Sequence, residues 1–163
     1  MKEKLKKYEA RERELTDTLF RTIGTIKSYT FTQGRICYDG HFTTVNDTNV
    51  LFEVKVRDFE VNKYPDFILQ TDKLLNLIKR SKTMGIGHIY YINYFKTSDP
   101  TIFSYIVFNL TARIEEWKKT KVPVIKKYMN NETYKSTTYK VEKAVVMLKF
   151  NSNIDQQGHF NLN

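Results

Sequence analysis

Cysteine is nearly absent: Cys37 is the single one in 163 residues. One cysteine excludes an intrachain disulfide and a cysteine-cluster zinc site, and it fits a reduced compartment. As a small apolar side chain, Cys37 is expected in the core. Six glycines and three prolines leave little material for long structureless linkers. No stretch approaches the ~20 consecutive apolar residues of a membrane span. The opening MKEKLKKYEARERE is charged and lacks the apolar centre of a signal peptide. These absences predict a soluble, cytoplasmic protein with no membrane association.

Acidic residues are also in short supply, with 18 Asp and Glu against 27 Lys and Arg, for a net charge of +9. A basic domain of this size points to a polyanionic partner, nucleic acid first and an anionic membrane surface second. Solubility alone is the plain alternative. Hydrophobic residues make up 40% and charged residues 28%, which supports a packed core and argues against wholesale disorder. The length suits one domain.

Apolar spacing predicts a helix to about residue 22, with Leu5, Tyr8, Leu15, Leu19 and Ile23 on one stripe and Gly24 as its stop. Glu12 breaks that stripe. Strands follow at 27–31, with 35–38 as an extension, then at 41–45 and 50–56, with Asn46-Asp47-Thr48-Asn49 as a turn. A second helix is expected over about 66–82, with Phe67, Leu74, Leu75 and Ile78 apolar and Lys73, Lys79, Arg80 and Lys82 basic. Residues 88–95 and 102–110 read as an antiparallel hairpin. A short helix is expected at 111–119 and a strand at 144–150. The Asn/Gln-rich residues 151–163 read as a flexible tail. The order of elements gives an α/β class: a mixed central sheet flanked by helices.

The stretch Leu51-Phe52-Glu53-Val54-Lys55-Val56-Arg57-Asp58 places charge inside an apolar strand. Val50, Phe52, Val54 and Val56 share one face; Leu51, Glu53 and Lys55 share the other. An exposed strand explains a Glu-x-Lys pair simply, with both charges in water. The apolar flanks argue instead for a central strand, where charges must be paired, hydrated in a cleft or bound to metal. Asp39 ends an earlier β-prone segment, which the turn at 46–49 folds back toward Glu53. Two carboxylates are hard oxygen ligands suited to Mg²⁺, and Lys55 is a point charge for an attacking water or a phosphate. Asp47 is the rival metal ligand, though its Asn/Thr/Asn setting reads as a turn. Glu12 needs a polar destination, with Glu14 as the alternative. Arg57, Lys63 and Lys73 are candidate phosphate contacts; solvated side chains are the competing reading. His41 and His88 lack partners at metal-site spacing. Tyr90, Tyr91, Tyr94 and Phe95 fit core packing better than base stacking.

"YDG" followed by "LFEVKV" resembles the PD-(D/E)xK nuclease superfamily, whose motif is an aspartate, a gap, then Glu-x-Lys on the next strand. Tyr38 stands where the full signature has proline. "ARERELTDTL" is similar to the first helix of archaeal-type Holliday junction resolvases, which would make Glu12 the active-site glutamate. "YPDFILQTDKLLNLI" is similar to the helix after the motif in small phage-type nucleases, where a lysine corresponds to Lys73. The resemblance covers about residues 8–110. It implies a restriction-endonuclease-like core over residues 1–150 and a Mg²⁺-dependent DNA endonuclease, with Mn²⁺ able to substitute. Asp39, Glu53 and the Val54 carbonyl would hold the metal, Lys55 would position the water, and Glu12 would support the site. A resolvase-type activity would imply a homodimer, since two symmetric nicks need two sites, and a phage-encoded enzyme would work in the host cytoplasm. A catalytically inactive nuclease fold, kept for DNA binding or as a structural protein of a phage or mobile element, is the alternative. An RNA-directed nuclease is a third.

Overall fold

The computed structural model describes residues 2–33, 38–130 and 140–162, with side chains over 6–33, 38–129 and 140–162. Cys37, and residues 35–37 of the expected strand extension, lie outside the described residues. Tyr38 sits in a bend.

The elements run α1 (Lys2–Thr22), β1 (Ile26–Phe31), β2 (Gly40–Thr44), β3 (Asn49–Arg57), β4 (Asp66–Gln70), α2 (Thr71–Met84), β5 (His88–Lys96), β6 (Ile102–Asn109), α3 (Leu110–Lys119), β7 (Val124–Asn130), β8 (Lys140–Lys149) and β9 (Gln156–Asn161). Six strands form a sheet in the order β1-β2-β3-β5-β6-β9; three more form a small sheet in the order β4-β8-β7. Among the described residues of the large sheet, only β3 and β5 pair parallel. The architecture is therefore α/β with a mixed central sheet flanked by helices. None of the described helices is long and apolar enough to cross a membrane.

The alternation in β3 divides the core in two. Val50, Phe52 and Val54 pack with Leu15, Leu19 and Phe20 of α1, and with Ile92 and Tyr94 of β5. Leu51 faces the opposite way, toward Leu74 and Leu77 of α2, Leu110 of α3, and Phe67, Leu69, Val146 and Leu148 of the small sheet. A strand buried on both faces by layers of helix and sheet is what a parallel pairing at the sheet's centre requires. Tyr91, Tyr94 and Phe95 are core residues, as their flanks predict. Tyr8, on the expected apolar stripe of α1, is exposed.

Three expectations are corrected. The helix expected over 66–82 begins at Thr71; residues 66–70 are strand β4, whose Phe67 and Leu69 are buried at alternate positions. Phe67 and Leu74 fit a helical stripe as well as they fit a strand followed by a helix, so spacing alone did not separate the two. The single strand expected at 144–150 is part of a longer β8, paired on its other side with β7. The flexible tail and the boundary at residue 150 also fail: Gln156–Asn161 pair with β6 and complete the large sheet. Asp155 anchors that return. Its buried carboxylate accepts the N–H groups of Asn109 (3.1 Å) and Asn151 (2.9 Å) and pairs with the guanidinium of Arg113 in α3.

Removing the Asp155 carboxylate leaves Arg113, 8% exposed, as an uncompensated buried cation. Asp155→Ala is expected to cost about 3–5 kcal/mol, read as a fall in the urea midpoint. An ordinary surface cost of about 0.5 kcal/mol or less would show that Asp155 is not the anchor of this return.

Candidate active site at the end of strand β3

Asp39 stands one residue before β2 and is fixed by its backbone. Its N–H donates to the Phe52 carbonyl (3.0 Å), and its carbonyl accepts from the Thr32 N–H (2.9 Å). Gly40 beside it admits no side chain: a Cβ there would lie 2.4 Å from the Thr30 oxygen and 2.5 Å from the Phe52 ring. The ladder between β2 and β3 ends at Gly40 and Phe52. Where it ends, the Asp39 side chain takes over, its Oδ2 accepting the Val54 N–H at 2.7 Å. That bond lands between Glu53 and Lys55. Residues 52 and 54 share parity along the strand, so the Val54 carbonyl emerges at the same edge as its N–H.

The opposite parity carries the charges. Glu53 lies beside Tyr91 and Lys55 beside Asn93 in the parallel register. The Glu53 side chain is only 5% exposed and is bonded by the Lys73 ammonium from the first turn of α2. Burial, then the neighbouring Asp39 charge, pushes the Glu53 carboxyl well above the usual range; Lys73 pulls it back only in part. For Lys73, burial works against the charged form, and the Glu53 carboxylate outweighs it, leaving its pKa raised. Lys55 is shifted the other way: burial lowers it, and its partner Glu12 Oε1 stands 4.0 Å from Nζ. Glu12, reaching in from α1, is pushed up to about 7, mainly by burial, with Lys55 pulling down and Asp39 pushing up. A small cleft of about 40 Å³ opens beside Asp39, bounded by Glu9, Glu12 and Arg13 of α1, by Phe31, Thr32 and Tyr38, and by Val54.

The structure thus brings Glu12, Asp39, Glu53, Lys55 and Lys73 together, and other sequence candidates elsewhere. Asp47 lies in a turn and is paired with Lys27 at 2.6 Å. Glu14 is paired with Arg11. Arg57 points inward: its Nε donates to Asn93 Oδ1 (2.9 Å), and one Nη donates to the Ile68 carbonyl and the Tyr91 hydroxyl (3.0 Å each). Those bonds tie β3 to β4 and β5, so the guanidinium is engaged as a brace rather than offered to a ligand. Lys63 is exposed in the β3–β4 loop, its ammonium 5.6 Å from the Tyr64 ring. Lys73 was expected to serve an incoming phosphate; here its ammonium is on Glu53. Arg13, which the sequence does not single out, lines the cleft and donates to the Thr32 carbonyl at 2.7 Å. Nothing in the run Arg11-Glu12-Arg13-Glu14 marks which of the two arginines turns toward the cleft.

Among the described residues, no group of three or more His, Cys, Asp or Glu side chains could enclose a metal ion. The donors at the site are oxygen atoms, and a hydrated hard cation such as Mg²⁺ takes one or two carboxylates plus water. Asp39, Glu53 and the Val54 carbonyl are such donors, and a buried carboxylate with a raised pKa gains from a nearby cation.

The Glu12 shift carries a sign for stability. Between the ordinary carboxyl value of 4.5 and about 7, the folded chain holds a proton that the unfolded chain has released. Stability from this group is full below 4.5 and is lost as pH rises through about 7, by about 3 kcal/mol. Glu53 acts in the same direction. In EDTA, the urea midpoint should therefore fall from pH 5 to pH 8, and Glu12→Gln should flatten that fall. A wild-type midpoint that rises over this interval would contradict the assignment.

No family model matches the chain, and no curated protein matches it. Among solved structures, the chain is similar to Archaeoglobus fulgidus Hjc, a Holliday junction resolvase from an archaeal hyperthermophile. The identity is 14%, the match covers 85% of this chain and 87% of that one, and the TM-score is 0.47.

Proposed function

We propose that the chain is a metal-dependent nuclease of the PD-(D/E)xK kind that hydrolyses phosphodiester bonds in DNA. The observation that carries this reading is the Asp39 carboxylate seated on the Val54 N–H, between Glu53 and Lys55. The motif residues, 14 and 16 positions apart in sequence, become one constellation in space. Asp39, Glu53 and the Val54 carbonyl would hold Mg²⁺ or Mn²⁺. When bound, such an ion supplies charge stabilisation at the phosphoryl group and lowers the pKa of a coordinated water.

The remaining work falls to this chain's own side chains. Lys55 presents an ammonium whose pKa burial has lowered, suited to orienting a water and to donating toward a phosphate oxygen. Glu12, near 7, can take up or release a proton at neutral pH, and its Oε1 faces Lys55. Lys73 contacts the Glu53 carboxyl and offsets part of the burial that raises its pKa. The basic composition supports a polyanionic substrate. A preference for branched DNA of the Holliday-junction type, with two copies acting as a homodimer, is the finer form of this proposal.

One observation favours the competing reading of a nuclease-like fold kept only for binding. Glu53 already has a cationic partner in Lys73, so part of the demand for a metal is met within the chain. Cleavage separates the two. The protein is incubated with branched, single-stranded and duplex DNA, and with matching RNA, in Mg²⁺ or Mn²⁺ and in EDTA. DNA cutting is expected with metal only, and Asp39→Ala, Glu53→Ala and Lys55→Ala should each lower its rate about 10²-fold or more. Absence of cutting, or Glu53→Ala cutting as well as wild type, would remove the enzymatic assignment. Cutting of RNA alone would redirect the substrate.

A further inference from the structure

The small sheet is three strands wide only along part of its length. β4 pairs with β8 from Asp66 opposite Lys149 to Gln70 opposite Val145, and there β4 ends. β8 and β7 continue together beyond that level, from Lys126 opposite Ala144 to Asn130 opposite Lys140. Past Val145 the structure is a two-stranded antiparallel ribbon. None of its described side chains is buried: Lys126, Lys127 and Tyr128 of β7 and Lys140, Glu142 and Ala144 of β8 are exposed, while Met129, Val141 and Lys143 are half-buried. Such a ribbon is marginal in water by itself, and Tyr128 is 71% exposed on it.

Its chemistry points to a polyanion. The ribbon carries Lys126, Lys127, Lys140 and Lys143 against one acid, Glu142. Glu142 is paired with Lys126 at 2.8 Å, in a solvent-exposed pair of little energetic weight. Its placement points to the same substrate as the site. Gln70, where β4 leaves the sheet, is followed directly by α2, whose third residue is Lys73 on Glu53. The ribbon therefore springs from the small sheet at the level of the helix end that reaches the candidate active site.

We infer that the β7–β8 ribbon is a DNA-gripping arm that lies in the major groove of a B-form duplex, with its lysines on the flanking phosphates. This rests on the nuclease reading for the choice of nucleic acid. Two strands about 4.8 Å apart with their side chains match a groove about 12 Å wide, which admits a two-stranded ribbon. The major groove of A-form RNA is deep and narrow and does not admit one. The arm thus supplies both affinity at a distance from the cleft and a preference for duplex DNA over duplex RNA.

The test is fluorescence anisotropy of the full chain in EDTA, on short DNA and RNA duplexes of one sequence. Wild type should bind DNA more tightly than RNA. Replacing Lys126, Lys127 and Lys140 together by Gln should weaken DNA binding ~10-fold or more near 0.1 M salt and reduce the salt slope by roughly 2–3. RNA binding should change less. Tyr128→Glu, which puts a carboxylate on the same arm, should give a loss in the same direction. All four side chains lie on the ribbon, outside the buried core, and circular dichroism checks the fold. Unchanged DNA affinity in both variants, or tighter binding to RNA, overturns the inference. So does a shift of the monomer–dimer balance by light scattering with DNA affinity intact, which would make a second copy the ribbon's partner. Because binding is read without metal, a chain that never cuts would defeat the nuclease proposal while leaving this result legible.

Discussion

A carboxylate that water hardly reaches sets the terms for everything around it. Glu53 sits on a central strand with helices and strands covering both faces, and an unpaired charge in such a place costs several kcal/mol. The fold meets that cost from outside β3. The Lys73 ammonium comes from α2, and α2 can deliver it because β4 has carried the chain to the right level of the sheet. Lys73 offsets that cost only in part, and burial with the neighbouring Asp39 still holds the Glu53 carboxyl above its usual range. The position of α2, the existence of β4 and the acidity of Glu53 are therefore a single arrangement.

The sheet's change of pairing supplies the second half. β3 pairs antiparallel with β2 on one edge and parallel with β5 on the other. The β2 edge runs out first, leaving the Val54 N–H to the Asp39 side chain. The β5 edge continues to Arg57, so Glu53 and Lys55 keep the buried floor of Tyr91 and Asn93 beneath them. The cleft opens where one ladder has stopped and the other has not. Arg57 braces that floor by its bonds to Asn93 and Tyr91.

Much of this was legible in residue spacing, and the unread parts share a physical cause. Alternation from Val50 to Val56 assigned each side chain to its correct face, because a strand buried on both sides leaves each residue one place to go. Glu12 was legible as a break in an apolar stripe. β7 was not, because its residues are exposed on both faces and show no period of two. β9 was not, because an edge strand buries little; of its six residues only Phe160 is buried. The Lys73–Glu53 pair joins residues on different elements through a loop and a strand, and no spacing rule spans that path. Arg57 misled for the opposite reason: a cation near a carboxylate motif suggests a phosphate, yet its donors are committed to the protein's own interior.

The two lysines of the site show how one cluster can hold two distinct roles. Lys73 and Lys55 flank the same carboxylates, yet their acidities are driven apart. Lys73 is raised by the carboxylate it touches, so its proton is fixed and its charge is spent on Glu53. Lys55 is lowered by burial, and its nearest partner, Glu12, stands back at 4.0 Å with a pKa near 7. Groups whose environments separate their acidities in this way are the ones that divide chemical labour. Lys73 is committed to Glu53 and tempers the effect of burial on it without cancelling it. Lys55 and Glu12 are loosely paired, and each is destabilised in its charged form. On the proposed reading, reactivity lies with Lys55 and Glu12 because the charge of Lys73 is already engaged by the carboxyl it touches.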